Sequence, residues 1–278
     1  MTKPESIGLS SERLARIPTF LDERYIKTGK LPCAQVQVWR RGKLAVDEVL
    51  GLADRERNRP LEKDAIFRIY SMTKPITSVA FMMLVEQGLV ALDDPVAKFI
   101  PEWANLGVFA AGTDAGWATT PPARPMMMID LLRHTSGLTY GFQMQGNIDA
   151  AYRRLKVAED LRLGTLREFI DKLAKLPLVF SPGEAWNYSV STDVLGYLVE
   201  TISGLPFADF LEQKIFQPLG MVDTAFTVPA GKADRLTACY AAGQLGSKAV
   251  KAGPPTLQDD PEKSPYRTAT DFPSGGGG

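Results

Sequence analysis

Apolar residues first recur at helical spacing at Leu14, Ile17, Leu21 and Tyr25, after Ser10 and Ser11, either of which can cap a helix. This predicts an amphipathic helix over residues 9–28, with Pro18 kinking it or marking its true first turn. The period then changes to two. Ala34, Val36 and Val38 alternate up to Arg41-Gly42, and Leu44 and Val46 alternate beyond it, the pattern of a β-hairpin. Phe67-Arg68-Ile69 supplies a third short strand or extended piece that runs straight into Ser71. From Ser71 onward Ile76, Val79, Ala80, Met83 and Leu84 return to helical spacing. That helix should be buried on most sides and should stop at Gly88, which can take the left-handed conformation.

Leu92-Asp93-Asp94-Pro95 reads as a turn into a short helix that stops by Pro101, and residues 104–125 as a long loop without periodicity. Met126-Met127-Met128 reads as core packing. Ile129, Leu131 and Leu132 predict a short helix ending around His134, with Gly137 providing the stop and His134 a satisfied polar residue near the helix end. Thr165-Leu166-Arg167-Glu168 has the form of a capping box, and Phe169, Ile170, Leu173 and Leu176 continue it as an amphipathic helix up to Pro177. Ser181-Pro182-Gly183-Glu184 is a turn and Tyr188 lies on an irregular piece. A helix with Val194, Leu195, Leu198 and Ile202 facing inward follows, closed by Gly204. Pro206 opens another through Phe207, Phe210, Leu211 and Ile215. The chain thus reads as strand-bearing before 70, mostly helical from 71 to about 220, and richer in turns beyond 237, ending in Gly275 to Gly278.

Composition narrows the chemistry. The 278 residues, 45% hydrophobic and 23% charged, suffice for one large domain or two smaller ones with a real core. Lys plus Arg equal Asp plus Glu at 32 each, so no net field draws nucleic acid or an anionic membrane. The first residues lack the apolar core of a signal peptide and no apolar run approaches a membrane span, which sets a soluble, cytoplasmic protein as the expectation. Cys33 and Cys239 are expected as small buried hydrophobes and not as a disulfide. His134 is the only histidine and no ligand cluster has metal spacing, so neither metal nor other cofactor is expected. No Gly-x-Ser-x-Gly elbow occurs, so a nucleophilic serine here would take a lysine or tyrosine as its base.

Ser71 and Lys74 stand three apart at the start of a helix, which puts a hydroxyl and an amine on one face. A serine hydroxyl needs a partner that takes its proton, and a lysine does so only when neutral. Burial and the positive end of the helix dipole both disfavour the charged amine. The spacing alone is weak, since one Ser-x-x-Lys in a chain of this size is expected by chance.

Three separated segments make it specific. Ser71-Met72-Thr73-Lys74, Leu131-Leu132-Arg133-His134-Thr135-Ser136-Gly137-Leu138 and Pro182-Gly183-Glu184-Ala185-Trp186-Asn187-Tyr188-Ser189 resemble the serine β-lactamase-related superfamily. Within it the chain looks most like the family VIII carboxylesterases, relatives of class C β-lactamases and DD-peptidases. The likeness extends through Leu195-Gly196-Tyr197 and Phe216-Gln217-Pro218-Leu219-Gly220-Met221, and so over nearly the whole chain. The resemblance implies Ser71 as the acylated nucleophile, Lys74 as its base, and Tyr188 as the third member, sharing the proton with Lys74 and passing it to the leaving alcohol. It implies a β-lactamase/transpeptidase-like fold, α/β plus all-α: an antiparallel sheet flanked by helices, a helical domain set into it, and the site between the two. In those terms residues 1–70 form the first part of the α/β domain, 71–235 the mainly helical domain, and 236–278 the return toward the α/β domain. The backbone N–H of Ser71 and a second N–H from a sheet strand would hold the oxyanion.

Two departures from the family shape the expectation. Where β-lactamases carry Asn two residues after the site tyrosine, this chain has Val190, which favours esters over β-lactams. The family's later strand and C-terminal helix are not in this sequence, so a C-terminal segment or a second chain is expected to complete the fold. The expected activity is hydrolysis of small-molecule carboxylic esters with short acyl chains, with Tyr140, Phe142 and Trp186 lining an apolar pocket. Hydrolysis of β-lactams or peptidoglycan peptides, acyl transfer on the same residues, or a non-catalytic binding or scaffold relative are the alternatives, and homo-oligomers are compatible with the sequence.

Overall fold

The computed structural model describes residues 2–158, 164–242 and 254–277. Contacts gather the chain into two units, one from Met1–Arg68 and Val228–Thr268, the other from Ile69–Thr227 and Ala269–Gly278. The second division therefore falls at Val228, earlier than the sequence division at 236, and the last stretch of chain belongs with the helices. The cause is hydrogen bonding. The Val228 N–H donates to Tyr266 O at 2.8 Å in the first unit, whereas Gly275 and Gly276 are bonded to helices of the second.

The first unit is built on a hairpin of β1 (Cys33–Arg40) and β2 (Lys43–Asp54), in register from Cys33 opposite Gly51 to Arg40 opposite Lys43. Arg41 and Gly42 both take positive φ, 50° and 69°, the two-residue connection whose twist matches that of the strands. A short β3 (Arg59–Pro60) pairs with the far end of β2. The helix expected over 9–28 is broken. Ser10 caps α1 (Ser11–Leu14), α2 (Arg16–Leu21) follows, and a wider turn covers Asp22–Ile26. Pro18 has no N–H to offer the carbonyl of Leu14, so the ladder of hydrogen bonds is interrupted between the two. Residues 67–69 form no strand, and Ile69 already has helical dihedrals, φ −93° and ψ −11°. Only Ile66 makes a bridge, parallel, to Leu236. Cys33 and Cys239 are half-buried and form no disulfide, and burial pushes the Cys33 thiol above its ordinary pKa.

The second unit holds the larger core. Its Ser71 segment begins as a tight turn over Tyr70–Met72 and continues as α3 (Thr73–Glu86), stopped at Gly88 with φ 71°. This helix buries one stripe, Thr73, Thr77, Ala80, Phe81 and Leu84, while Val79 and Met82 are exposed, so it is not enclosed on most sides as its composition suggests. Residues 104–125 are not a plain loop either. They contain a hairpin of β4 (Val108–Gly112) and β5 (Trp117–Thr120), missed because its outward face carries Ala, Thr and Gly and gives no apolar alternation. Met126 and Met128 pack in the core as expected. Next come α4 (Met128–Arg133), α5 (Asn147–Arg154), α6 (Leu166–Leu173), α7 (Ser191–Ser203) and α8 (Phe207–Leu211). Every residue of α7 from Ser191 to Val199 is buried, and this helix lies against α3, α4, α6 and α8. Phe81, Leu195, Leu198 and Phe207 have no more than trace exposure, and burying each such side chain stabilises the unit by roughly 1.5–3 kcal/mol.

Candidate active site

The arrangement around Ser71 follows from two chain segments that lie side by side. Helix α4 ends at His134 itself, with φ 56°, and not at Gly137. The chain beyond it receives residues 179–190. Val179 N–H donates to Gly137 O at 2.7 Å, Gly183 N–H to Thr135 O at 2.8 Å, and Asn187 N–H to His134 O at 2.9 Å. Gly137 is required at this crossing, because with φ 83° a Cβ would stand 2.3 Å from the Phe180 carbonyl oxygen. The two recognised segments thus brace each other, and Tyr188 is held at the end of the brace. The Gln143 side-chain amide donates to the Tyr188 carbonyl, and the Asn187 side chain donates to Leu138 O at 2.9 Å.

Ser71 lies in the tight turn that opens α3, directly after Tyr70, whose φ of 43° is a left-handed conformation in a bulky residue. Such strain costs on the order of 1–3 kcal/mol and persists only where the surroundings enforce it. The Ser71 Oγ is 2.9 Å from the Tyr188 Oη, and Lys74 Nζ donates to the same Oγ at 3.2 Å. Lys74 Nζ also donates to the Gly276 carbonyl at 2.5 Å and stands 4.6 Å above the Tyr188 ring. Three side chains from positions 71, 74 and 188 therefore share one hydroxyl, one amine and one phenol within proton-transfer distance.

The aromatic residues form a connected series. Tyr140 stacks on Phe142 at 4.7 Å between centroids and tilts against Tyr188 at 5.3 Å, and Trp186 lies near-parallel to Tyr188 at 6.5 Å. Trp186 and Phe142 are open to solvent at 67% and 48% exposure, whereas Tyr140 is buried behind Tyr188 with its hydroxyl turned to Asp193 at 3.4 Å. Burial above all, with the neighbouring Asp193, holds the Tyr140 phenol well above its ordinary pKa.

His134 borders the group without joining it. Its ring sits 5.0 Å from that of Tyr188. The Ser189 N–H donates to its Nδ1 at 3.3 Å, which leaves the ring proton on Nε2. Burial first, and the charge of Lys74 second, lower its pKa to about 4, so the imidazole is neutral near pH 7. A relay of buried hydroxyls, Ser189 to Ser191 and Ser191 to Ser136, both at 2.7 Å, continues from it.

Sequence reasoning missed Asp193. This aspartate is fully buried in the first turn of α7, and its Oδ1 accepts from Ser274 Oγ at 2.5 Å and Gly276 N at 3.0 Å. Burial raises its pKa, against the hydrogen bonds from Ser274 and Gly276. The only signal in the sequence was a charged residue among the inward positions of an apolar helix. Among the described residues no group of three His, Cys, Asp or Glu side chains is placed to hold a metal ion.

A helix opening on Ser-x-x-Lys, faced by a tyrosine from a second braced segment within an assembly of helices and antiparallel strands, is a β-lactamase/transpeptidase-like fold. The chain belongs to the β-lactamase family, whose sequence model matches residues 21–278. It is similar to Protein Rv1367c of Mycobacterium tuberculosis, 35% identical over 250 residues that make up 90% of this chain and 59% of that protein. Esterase EstB of Burkholderia gladioli is also 35% identical, over 244 residues, 87% of this chain and 58% of the esterase. A solved structure described as EstCE1, a hydrolase with promiscuous acyltransferase activity, superimposes with a TM-score of 0.78 at 28% identity, over 96% of this chain and 68% of that one. The chain spans about three fifths of the length of these curated relatives.

Proposed function

We propose that the protein is a serine carboxylesterase of the family VIII type, acting on small esters with short acyl chains through an acyl-enzyme on Ser71. The observation that carries this reading is the double engagement of the Ser71 Oγ, 2.9 Å from Tyr188 Oη and 3.2 Å from Lys74 Nζ. With Tyr188 as phenolate or Lys74 as free amine, the Ser71 proton has an acceptor as Oγ attacks the ester carbonyl carbon. The tetrahedral oxyanion forms next to the Ser71 N–H, where the helix start favours negative charge. As that intermediate collapses, the C–O bond to the alcohol breaks and the leaving alkoxide takes the proton from Tyr188. Water then attacks the acyl carbon, loses its proton to the same pair, and releases the acid and Ser71.

Esters are preferred over β-lactams in this reading for a physical reason. Val190, the position at which β-lactamases offer an asparagine amide, is completely buried and apolar, so it presents no hydrogen-bond donor to an amide substrate. The esterase named among the relatives is consistent with it. Exposed Trp186 and Phe142 give the substrate an apolar face to lie on, with Tyr140 beneath.

A fluorophosphonate followed by peptide mass spectrometry tests the assignment. Label on Ser71, abolished in Ser71→Ala and sharply slowed in Lys74→Ala and Tyr188→Phe, is the expected result. Label elsewhere, or ester turnover that survives Ser71→Ala, would sink it. Parallel assays with a nitrophenyl ester and a chromogenic cephalosporin are expected to favour the ester by a wide margin.

A further inference from the structure

A carboxylate with no accessible surface requires a reason to be where it is. Asp193 sits at the third position of α7, yet its hydrogen-bond capacity is directed away from its own helix and into the turn at Ser274–Gly277. That turn is also gripped from the other side. Thr77 Oγ1 on α3 donates to Gly275 O at 2.8 Å, and Lys74 Nζ, one turn earlier on the same helix, donates to Gly276 O at 2.5 Å. Gly276 is therefore caught between a carboxylate that receives its N–H and the amine that donates to its C=O.

The fit is tight. A Cβ on Gly276 would stand 2.5 Å from Asp193 Oδ2 and 3.0 Å from Tyr140 Oη, and a Cβ on Gly275 would meet Thr192 O at 2.4 Å. The glycines let the backbone approach α7 closely enough for the carboxylate to reach it. Lys74 carries a flexible four-carbon stem, so the Ser71 contact alone does not fix where its nitrogen lies.

We propose that Asp193 is a positioning residue for Lys74: through the Ser274–Gly277 turn it fixes the Gly276 carbonyl, and that carbonyl aims the Lys74 amine at the Ser71 Oγ. The proposal rests on the esterase reading above. Asp193 does not touch substrate. Its effect passes through two hydrogen bonds and the backbone of Gly276, and it acts on the proton-transfer step, not on substrate affinity. A displacement of the amine by about 1 Å is enough to cost on the order of a hundredfold in rate.

The test is steady-state hydrolysis of a nitrophenyl ester, together with the rate at which a fluorophosphonate labels Ser71, for wild type, Asp193→Ala, Asp193→Asn, Gly276→Ala and Ser274→Ala. Asp193→Ala and Gly276→Ala are expected to lower kcat by about fiftyfold with KM within about twofold, since the loss falls on the chemical step. Asp193→Asn keeps an oxygen acceptor for Gly276 N–H and is expected to hold kcat within about fivefold of wild type. Ser274→Ala removes one of the two bonds to Oδ1 and should cost about fivefold, again in kcat. It carries the test if Asp193→Ala fails to fold. An Asp193→Ala protein that labels at the wild-type rate overturns the proposal. So does Asp193→Asn falling as far as Asp193→Ala, or a loss that lies in KM, or, where Asp193→Ala is insoluble, a Ser274→Ala kcat equal to wild type. Wild type that takes no label at Ser71 takes down the esterase reading and this proposal with it, whereas labelled wild type with indifferent variants removes only the proposal.

Discussion

Asp130 and Asp193 occupy the same place in two helices, the third position of α4 and the third position of α7, and both are buried. Their surroundings differ. Asp130 turns back on its own helix start, accepting the Met127 N–H at 2.9 Å, and is clamped by both terminal nitrogens of Arg124 at 2.7 and 2.8 Å and by the Thr135 hydroxyl at 2.9 Å. Asp193 has no arginine among its hydrogen-bond partners and spends them on Ser274, Gly276 and Tyr140. Burial disfavours the charge of both carboxylates. For Asp130 the Arg124 guanidinium and the other donors outweigh it and hold the pKa below the ordinary value, whereas for Asp193 burial prevails and the pKa rises. The same helix position thus serves stability when its charge is neutralised locally, and is available to position other groups when it is left to distant donors.

Breaking the first of the two should give the larger effect on stability. Asp130→Ala strands the Arg124 guanidinium and the Thr135 hydroxyl and unties the start of α4. A loss of about 2–3 kcal/mol in urea denaturation is expected, toward the low end for such a pair because Arg124 is partly exposed and can rehydrate. The rate of Ser71 labelling in the protein that remains folded should stay close to wild type. Asp193→Asn should spare the fold. It replaces a carboxylate that burial penalises with a neutral group of the same shape that still accepts the Gly276 N–H, so stability near pH 7 should hold or improve slightly, with kcat within about fivefold of wild type. Equal destabilisation by the two substitutions would erase the contrast.

The pH dependence sharpens it through opposite signs. Asp130 has a depressed folded pKa, so its contribution is in place above the ordinary value of 3.8 and is lost as pH falls through the folded value. Asp193 has a raised one. Its contribution is full below 3.8 and is lost as pH rises through the folded value. His134 adds to the acid-side loss, because its folded pKa of about 4 lies below the ordinary 6.5, and stability falls as pH drops between those two values. His134→Asn keeps a residue that tolerates the φ of 56° and cannot take up a proton, so it should flatten the decline between pH 6.5 and 4. An unchanged slope in that variant would assign the decline to the other groups that face this site.

How much of this was legible in the sequence depends on how far apart the partners lie. The capping box at Thr165 and Glu168 was readable because both members sit within four residues, and so was the hairpin at Arg41-Gly42. Ser71 and Lys74 were visible as a spacing, and Tyr188 only through the resemblance of its segment, since nothing local says that positions 71 and 188 meet. The division of labour between Asp130 and Asp193 was not readable. Both look like helix-start acids, and the donors that distinguish Asp193 come 81 and 83 residues later. The enclosure expected of α3 failed for the opposite reason, because composition reports apolar content but not which stripe finds a partner.

A third acid completes the series and carries the smallest effect. Glu168 is also at the third position of its helix, α6, but it is exposed, and its side chain accepts the Thr165 N–H at 2.8 Å while Thr165 Oγ1 accepts the Glu168 N–H at 3.1 Å. Here both partners are local and water can replace either. Thr165→Ala removes one of the two bonds and leaves the Glu168 N–H to solvent, so a loss of about 1 kcal/mol in urea denaturation is expected, with no change in Ser71 labelling. The measurement separates helix position from surroundings. If position set the outcome, Thr165→Ala and Asp130→Ala would cost the same, whereas burial and a clamped charge predict that the α4 substitution costs two to three times as much.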